Sequence, residues 1–152
     1  TNIDHRFSGG FYTHPVYSAK RIPGWSFDPR KKSAFFAWLE KYKPDVIVCT
    51  HPEVRNWLEE SGTKAPEDIG LVHLDLIAPF EDWSGMNQNN DLVGKFAIDL
   101  LIGQLHRNES GIPSHAKCMM VESQWVRGAT VRDLSAALKK TGKPIGNPRK
   151  TR

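Results

Sequence analysis

Along the chain, segments in which hydrophobic and polar positions follow a helical period alternate with short, continuous apolar runs. Asp28 followed by Pro29 is typical of a helix start, because an N-cap side chain and a proline at the first helical position both suit it. Apolar residues then recur at the spacing of one helical face, at Phe35, Trp38, Leu39 and Tyr42. The same pattern predicts a second helix after Thr50, ended by Gly62, and a long third helix over residues 89–107.

Three apolar runs between these helices predict β-strands. They are DVIVC at residues 45–49, IGLVHL at residues 69–74 and AKCMMVE at residues 116–122. Strands that are apolar without alternation are typical of a parallel sheet that is covered on both faces. Helices that alternate with such strands indicate βαβ units. The expected fold class is therefore α/β, with a doubly wound parallel sheet in a three-layer α/β/α arrangement.

The charge is unevenly distributed along the chain. The net charge is +4, but residues 139–152 hold six basic side chains and no acidic one. Residues 1–138 carry the other 15 basic and all 17 acidic side chains, a net charge of −2. We therefore expect residues 1–138 to be the folded part and residues 139–152 to be a basic, disordered tail. A nucleic-acid-binding face on the folded part has no support in this pattern.

Other features of the sequence indicate a cytoplasmic protein. No apolar run approaches the roughly 18 residues that a membrane span needs, so no membrane partner is expected. Cys49 and Cys118 lie in apolar stretches, as buried, reduced thiols of a cytosolic protein would. The chain begins with Thr1 rather than Met and shows no signal-peptide pattern, so we expect it to be a piece of a longer protein.

Polar side chains follow the ends of all three predicted strands. They are Thr50 and His51, then His73 and Asp75, then Glu122 and Ser123. Ligands of open parallel sheets bind beyond the carboxyl ends of the strands, so these residues form the candidate site. Three interpretations are open: a metal centre, a catalytic histidine–carboxylate pair, or a pocket in which histidine and aspartate hydrogen-bond a polar ligand.

The residues favour the pocket over the other two interpretations. Two histidines on separate strands carry no metal-binding spacing, so neither a metal nor a cofactor is expected. A catalytic pair would need a nucleophile, and Ser84, Ser123 and Cys49 lack the strand–turn context of a nucleophile elbow. A simpler alternative is that His73 packs in the core and Asp75 caps the following turn.

Four segments occur in an order and spacing that one known family shares: PDVIVCTHPEV, ESGTKAPEDIGLVHLD, NQNNDLVGKFAIDLLIGQL and WVRGATVRDL. They resemble the effector-binding domain of LacI-type (lactose/purine-repressor-like) bacterial transcription regulators, which has the periplasmic-binding-protein-like fold. The upstream segment HRFSGGF is similar to the family's R-x-x-G-[FY] helix. The matching positions are Pro44, Asp45, Gly62, Pro66, Asp68, Ile69, Asp75, Gln88, Gly94, Ala97, Leu101, Arg127, Gly128 and Thr130.

The resemblance implies a ligand-sensing and dimerisation function rather than an enzyme. This chain would be the C-terminal portion of the effector-binding domain, one of its two lobes. A small effector, sugar-like or another polar metabolite, would bind in the cleft and alter the relation of the lobes in a homodimer. That change would control operator DNA binding by an N-terminal helix-turn-helix that is absent from this chain.

The resemblance also implies which residues contact the effector. Asp75 takes the place of the aspartate in the family's G-[YF]-D motif, and Gln88 that of a glutamine at a lobe crossover. Thr50 and His51 replace an Asn-Asp pair. Arg6 and Phe7 lie near the position of an effector-binding arginine in the family's upstream helix. The whole predicted effector site is Asp75, His51, Thr50, Gln88, His73, Arg6 and Phe7.

Departures from the family pattern bear on the ligand. His73 and Leu74 replace a glycine and an aromatic residue, and His51 replaces a carboxylate. An aromatic sugar platform and one carboxylate are therefore missing, so a typical hexose effector is not expected.

The helix after His51 and the loop IAPFEDW resemble the family's dimer surface. Trp57, Phe80 and Trp83 would then be interface anchors that are exposed in a monomer, and the alternative for all three is core packing. Two other classes of protein stay open: a periplasmic solute-binding protein of the same fold, and a small α/β enzyme that depends on His51.

Overall fold

The computed structural model describes residues 9–10, 12–13, 22–77, 80, 82–113, 115 and 117–135. Residues 9–10 and 12–13 are helical, and the helices described over their whole length are α1 (Lys32–Tyr42), α2 (Glu53–Glu60) and α3 (Asn90–His106). The strands are β1 (Val46–Cys49), β2 (Gly70–His73), β3 (Ser84–Asn87) and β4 (Gln124–Val126). Arg6, Phe7 and the expected tail at residues 139–152 lie outside the described residues.

The four strands form one sheet in the order β1-β2-β3-β4. β1 pairs with β2 in parallel, from Val46 opposite Gly70 to Cys49 opposite His73. β2 and β3 are also parallel, whereas β3 and β4 are antiparallel. The α/β fold class expected from the sequence is confirmed, and the antiparallel β4 is an addition that the apolar pattern did not indicate.

The strand predicted at residues 116–122 is wrong. Residues 117–123 have no regular structure, and Met120 within them is 89% exposed. The strands that complete the sheet are short and partly polar, SGMN in β3 and QWV in β4. Pairing with the neighbouring backbone defines these two strands, and an apolar run without a neighbouring strand does not form one.

The turn at Asp28 precedes α1 rather than opening it. The Asp28 carboxylate accepts hydrogen bonds from the backbone N–H and the guanidinium of Arg30, at 3.0 and 3.1 Å. The helix begins only at Lys32 and ends at Tyr42, and its C-cap residue, Lys43, lies in the left-handed region with a φ of 42°. This cap turns the chain directly from α1 towards β1.

The core lies where α1 and α2 meet the sheet. Its buried apolar side chains are Phe35, Ile47, Val54, Trp57, Leu58, Ile69, Leu71 and Trp83. Trp25 packs edge-on against Phe35 and Trp57, with ring centroids 5.2 and 6.0 Å apart. Such edge contacts between aromatic rings are favourable, so the segment before α1 is part of the core.

α3 differs from the other helices because none of its 17 residues is buried. The predicted helix is present, but the described residues do not cover its apolar side chains. No helix of the described residues is long and apolar enough to cross a membrane. Seven large apolar side chains of α3 are between 40 and 64% exposed: Leu92, Val93, Phe96, Ile98, Leu101, Ile102 and Leu105.

Two buried hydroxyl groups attach the segment after β4 to the sheet. The Thr130 hydroxyl donates to the Leu71 carbonyl at 2.6 Å and accepts from the Ser84 N–H at 2.9 Å. The Ser84 hydroxyl accepts from the Gly128 N–H at 3.0 Å. Because these buried polar groups are paired, they join β2, β3 and residues 128–130 at little cost in desolvation.

Gly85→Ala is expected to destabilise the sheet. A Cβ at this position would overlap the backbone of His73 on the adjacent parallel strand, so we expect a loss of about 2–4 kcal/mol in the free energy of unfolding. Gly94→Ala on α3 is the matched control, because open space surrounds that position and alanine favours a helix. Urea denaturation measures both, and equal effects of the two substitutions would contradict the argument.

Candidate functional site

β1 and β2 end side by side at the carboxyl edge of the sheet. Cys49 lies opposite His73, and the Leu74 N–H donates to the Cys49 carbonyl at 2.9 Å. Residues 50–51 follow β1 and Asp75 follows β2, so the predicted site residues after these two strands lie at the same edge of the sheet. This is the position at which open parallel sheets bind ligands.

His51 is held in an aromatic stack. Its imidazole lies flat on the Phe27 ring, with centroids 4.0 Å apart and 11° between the planes. Phe27 stacks in turn on Trp57, at 5.2 Å and 16°. Phe27 was not among the predicted site residues. The aromatic-rich WSF at residues 25–27 is a visible signal, but nothing in it indicates which strand end the ring would reach.

His73 is a packing histidine, only 3% exposed. Its Nδ1 accepts a hydrogen bond from the Asp75 N–H at 3.2 Å, which assigns the ring proton to Nε2, and Nε2 has no hydrogen-bond partner among the described residues. The rings of Phe80 and Trp83 flank it, at 5.1 and 5.5 Å. Burial lowers the pKa of His73, against the opposing effects of the Asp75 backbone and carboxylate and the Thr50 backbone. The simpler alternative, core packing, describes this residue.

Asp75 presents an unused acceptor at the same edge. Its side chain is half-buried, and Oδ1 is buried without a hydrogen-bond partner in the described part of the chain. A buried polar atom without a partner costs free energy, so a donor from a ligand would stabilise it. Asp75 is therefore the predicted site residue with the most direct capacity to bind.

Gln88 lies beside Asp75, and its amide is already engaged. Its Nε2 donates to the Leu74 carbonyl at 2.9 Å, which ties the exit of β3 to the exit of β2. The predicted site residues that the structure brings to this edge are Thr50, His51, His73, Asp75 and Gln88.

The expectation of exposed interface anchors is wrong for two of the three residues. Trp57 is 8% exposed and Trp83 is 3% exposed, and both belong to the core. Phe80 is half-buried. Periodicity placed Trp57 on the apolar face of α2, but that face meets the sheet rather than a second copy. The other side of α2 carries Arg55, whose guanidinium pairs with the Asp82 carboxylate at 2.5 Å.

Two candidate nucleophiles of the enzyme alternative are not placed for catalysis. Ser84 is fully buried, and its hydroxyl accepts the Gly128 N–H. Burial raises the pKa of the Cys49 thiol to about 11, which keeps it protonated and unreactive at neutral pH. Among the described residues, no group of three or more histidine, cysteine, aspartate or glutamate side chains could hold a metal ion.

The fold is similar to that of a solved transcription regulator. The crystal structure of transcription regulator CcpA of Lactococcus lactis matches with a TM-score of 0.51 at 15% sequence identity. The match covers 70% of this chain and 41% of that chain, so this chain corresponds to less than half of that protein. No family model and no curated protein matches the sequence. At this level of identity the likeness shows that the two proteins share a fold.

The stability of the chain is expected to decrease as the pH falls below about 6.5, because of His73. Its pKa is lowered in the folded state, so below the ordinary histidine value of 6.5 the unfolded chain binds more protons than the folded one. The stability contributed by neutral His73 is therefore complete above that pH and is lost as the pH falls.

His73→Gln should flatten this dependence in urea-unfolding curves measured at several pH values. His106→Gln, which changes an exposed histidine at the end of α3, is the control and should leave the dependence unchanged. If His73→Gln retained the full decrease, the buried imidazole would not be its source.

Proposed function

We propose that this chain is the ligand-sensing and dimerisation part of a LacI-type transcription regulator. A small polar effector would bind at the carboxyl edge of the sheet and control operator DNA binding by a helix-turn-helix elsewhere in the protein. The observation that carries the proposal is α3, which leaves the sheet with its apolar side chains largely exposed and none of them buried in the described part of the chain. The likeness to the CcpA structure supports the fold and leaves the ligand open.

α3 has the properties of a helix that is buried in a complete protein. At about 1.5 Å per residue its 17 residues span roughly 25 Å. Phe96 and Leu101 are five residues apart, so they lie about 140° apart around the helix axis. A helix that is apolar over so wide an arc is normally covered on more than one side. In a two-lobed domain the other lobe would cover α3.

The proposed effector site is built on polar groups at the sheet edge. Asp75 Oδ1 would accept a hydrogen bond from the effector, and Gln88 lies beside it. Thr50 and His51 would line the end of β1, with the His51 ring fixed by its stack on Phe27. The ligand chemistry that suits this edge is a polar metabolite with at least one hydrogen-bond donor.

The proposal includes homodimerisation, through a surface that differs from the one expected from the sequence. Because Trp57 and Trp83 are used in the core, they are not available to a second copy. The outer side of α2 instead presents charge, including Arg55 paired with Glu59 at 3.0 Å. Phe80 is the partly exposed member of the interface that the resemblance implied.

Asp75→Asn is expected to weaken effector binding by about tenfold or more, because a charge-assisted hydrogen bond is replaced by a neutral one. The measurement is calorimetry on a longer version of the protein, extended at the N-terminus, with a panel of sugars and other polar metabolites. Asp45→Asn at the start of β1, the opposite edge of the sheet, is the control and should bind as the parent does. The 152-residue chain should bind weakly or not at all, so tight binding by that chain would overturn the two-lobed proposal.

Leu101→Ala is expected to change the free energy of unfolding by different amounts in the 152-residue chain and in the protein extended at the N-terminus. Leu101 is 50% exposed in this chain, so its truncation should change the free energy of unfolding by less than about 0.5 kcal/mol. In the extended protein the same substitution should cost about 2–5 kcal/mol, because the second lobe would bury the side chain. Lys95→Ala on the same helix should have little effect in either. Equal costs for Leu101→Ala in both lengths would mean that nothing covers α3.

A further inference from the structure

The two residues between β3 and α3 form a compact joint. Asn89 lies in the left-handed region, with φ 53° and ψ 45°, and its carbonyl accepts the first hydrogen bonds of α3, from Leu92 and Val93. Its backbone N–H donates to the Asn87 side chain at 2.8 Å. Its own side chain is turned elsewhere: Nδ2 donates to the Glu122 carbonyl at 2.8 Å.

Glu122 belongs to the segment that brings the chain back to the sheet. It lies two residues before β4, so the hydrogen bond joins the chain leaving β3 to the chain entering β4. The ladder between β3 and β4 ends at Asn87 opposite Gln124. The Asn89 side chain therefore extends the connection of the two passages beyond the last backbone pair.

This joint, rather than packing on the sheet, determines the direction of α3. No side chain of α3 is buried among the described residues, so packing on the sheet does not fix the direction of the helix. A short joint with defined hydrogen bonds can fix it instead, because Asn89 both starts the helix and grips the returning segment.

We propose that Asn89 is a positioning residue that clamps the outgoing and returning segments together and so sets the direction of α3 relative to the sheet. Gln88 links the clamp to the candidate ligand edge, because its amide donates to the carbonyl of Leu74, the residue before Asp75. In the regulator proposed above, a ligand that breaks the bond from Gln88 to the Leu74 carbonyl would disturb the adjacent residue, Asn89. It would thereby change the angle between α3 and the sheet, and with it the angle between the two lobes. This last step rests on the proposed function, whereas the clamp does not.

Asn89→Asp is the test substitution. Aspartate has the same size and tolerates the left-handed conformation, but its carboxylate cannot donate to the Glu122 carbonyl. Asn90→Asp adds the same charge one residue later, at an exposed position, and is the matched control. Spin labels at Glu40→Cys on α1 and Asp99→Cys on α3 report the direction of the helix by pulsed electron paramagnetic resonance. Cys118→Ser removes the exposed thiol, and half-buried Cys49 stays unlabelled because burial raises the pKa of its thiol to about 11.

In the 152-residue chain without ligand, Asn89→Asp should broaden the distance distribution between the labels. Amide exchange in β4 should become about fivefold faster, as the loss of one hydrogen bond predicts. Asn90→Asp should match the parent in both measurements. The clamp is refuted if Asn89→Asp also matches the parent, or if Asn90→Asp changes both readouts as much.

A second pair of variants applies if Asn89→Asp does not fold, as judged by circular dichroism. Asn89→Gly keeps the left-handed conformation and removes only the side chain. Asn108→Gly is its control, because Asn108 has the same φ of 53° just beyond the other end of α3. The same broadening is expected for the first and not for the second. Because no ligand is present, failure of the clamp and failure of the proposed function give separate results.

Discussion

The parallel pairing of β1 with β2 is the interaction on which the rest of the structure depends. Four consecutive residue pairs, from Val46 with Gly70 to Cys49 with His73, fix the relative register of the two strands. This register places Ile47 and Leu71 in the core, where they meet the apolar face of α2. It also ends both strands at one level, so that Asp75 and His51 share an edge. A slip in register would dissolve the core and separate the candidate site.

The sequence was sufficient where burial alone decides structure. β1 and β2 are predictable because their apolar residues are continuous, and α2 because Val54, Trp57 and Leu58 repeat on one face. β3 is not predictable in this way. Its glycine and serine allow close backbone approach and buried hydrogen bonds, and both depend on residues far along the chain, such as Thr130.

The candidate site shows the same division. Position at a strand end correctly placed His51 and Asp75 at one edge, because strand ends in a parallel sheet meet. Gln88, which the resemblance and not a predicted strand indicated, joins them there through its bond to the Leu74 carbonyl. Side-chain direction could not be predicted. His73 turns into the aromatic residues of the loop, and His51 lies on a ring from the segment before α1. Both imidazoles are thereby used in packing, and Oδ1 of the Asp75 carboxylate is a buried acceptor without a hydrogen-bond partner among the described residues.

The contrast between α2 and α3 supports the proposal that this chain is one lobe of a two-lobed domain. α2 has only eight residues, yet three are buried, and Arg55 pairs outside the core with Glu59 and Asp82. α3 has 17 residues and a more apolar surface, yet buries none of them in the described part of the chain. Sequence periodicity cannot distinguish the two cases, because it shows that a face is apolar and not what covers it. In the described part of the chain the sheet is covered at α2 and the side chains of α3 are exposed beyond it, which is the arrangement that the proposed two-lobed domain requires.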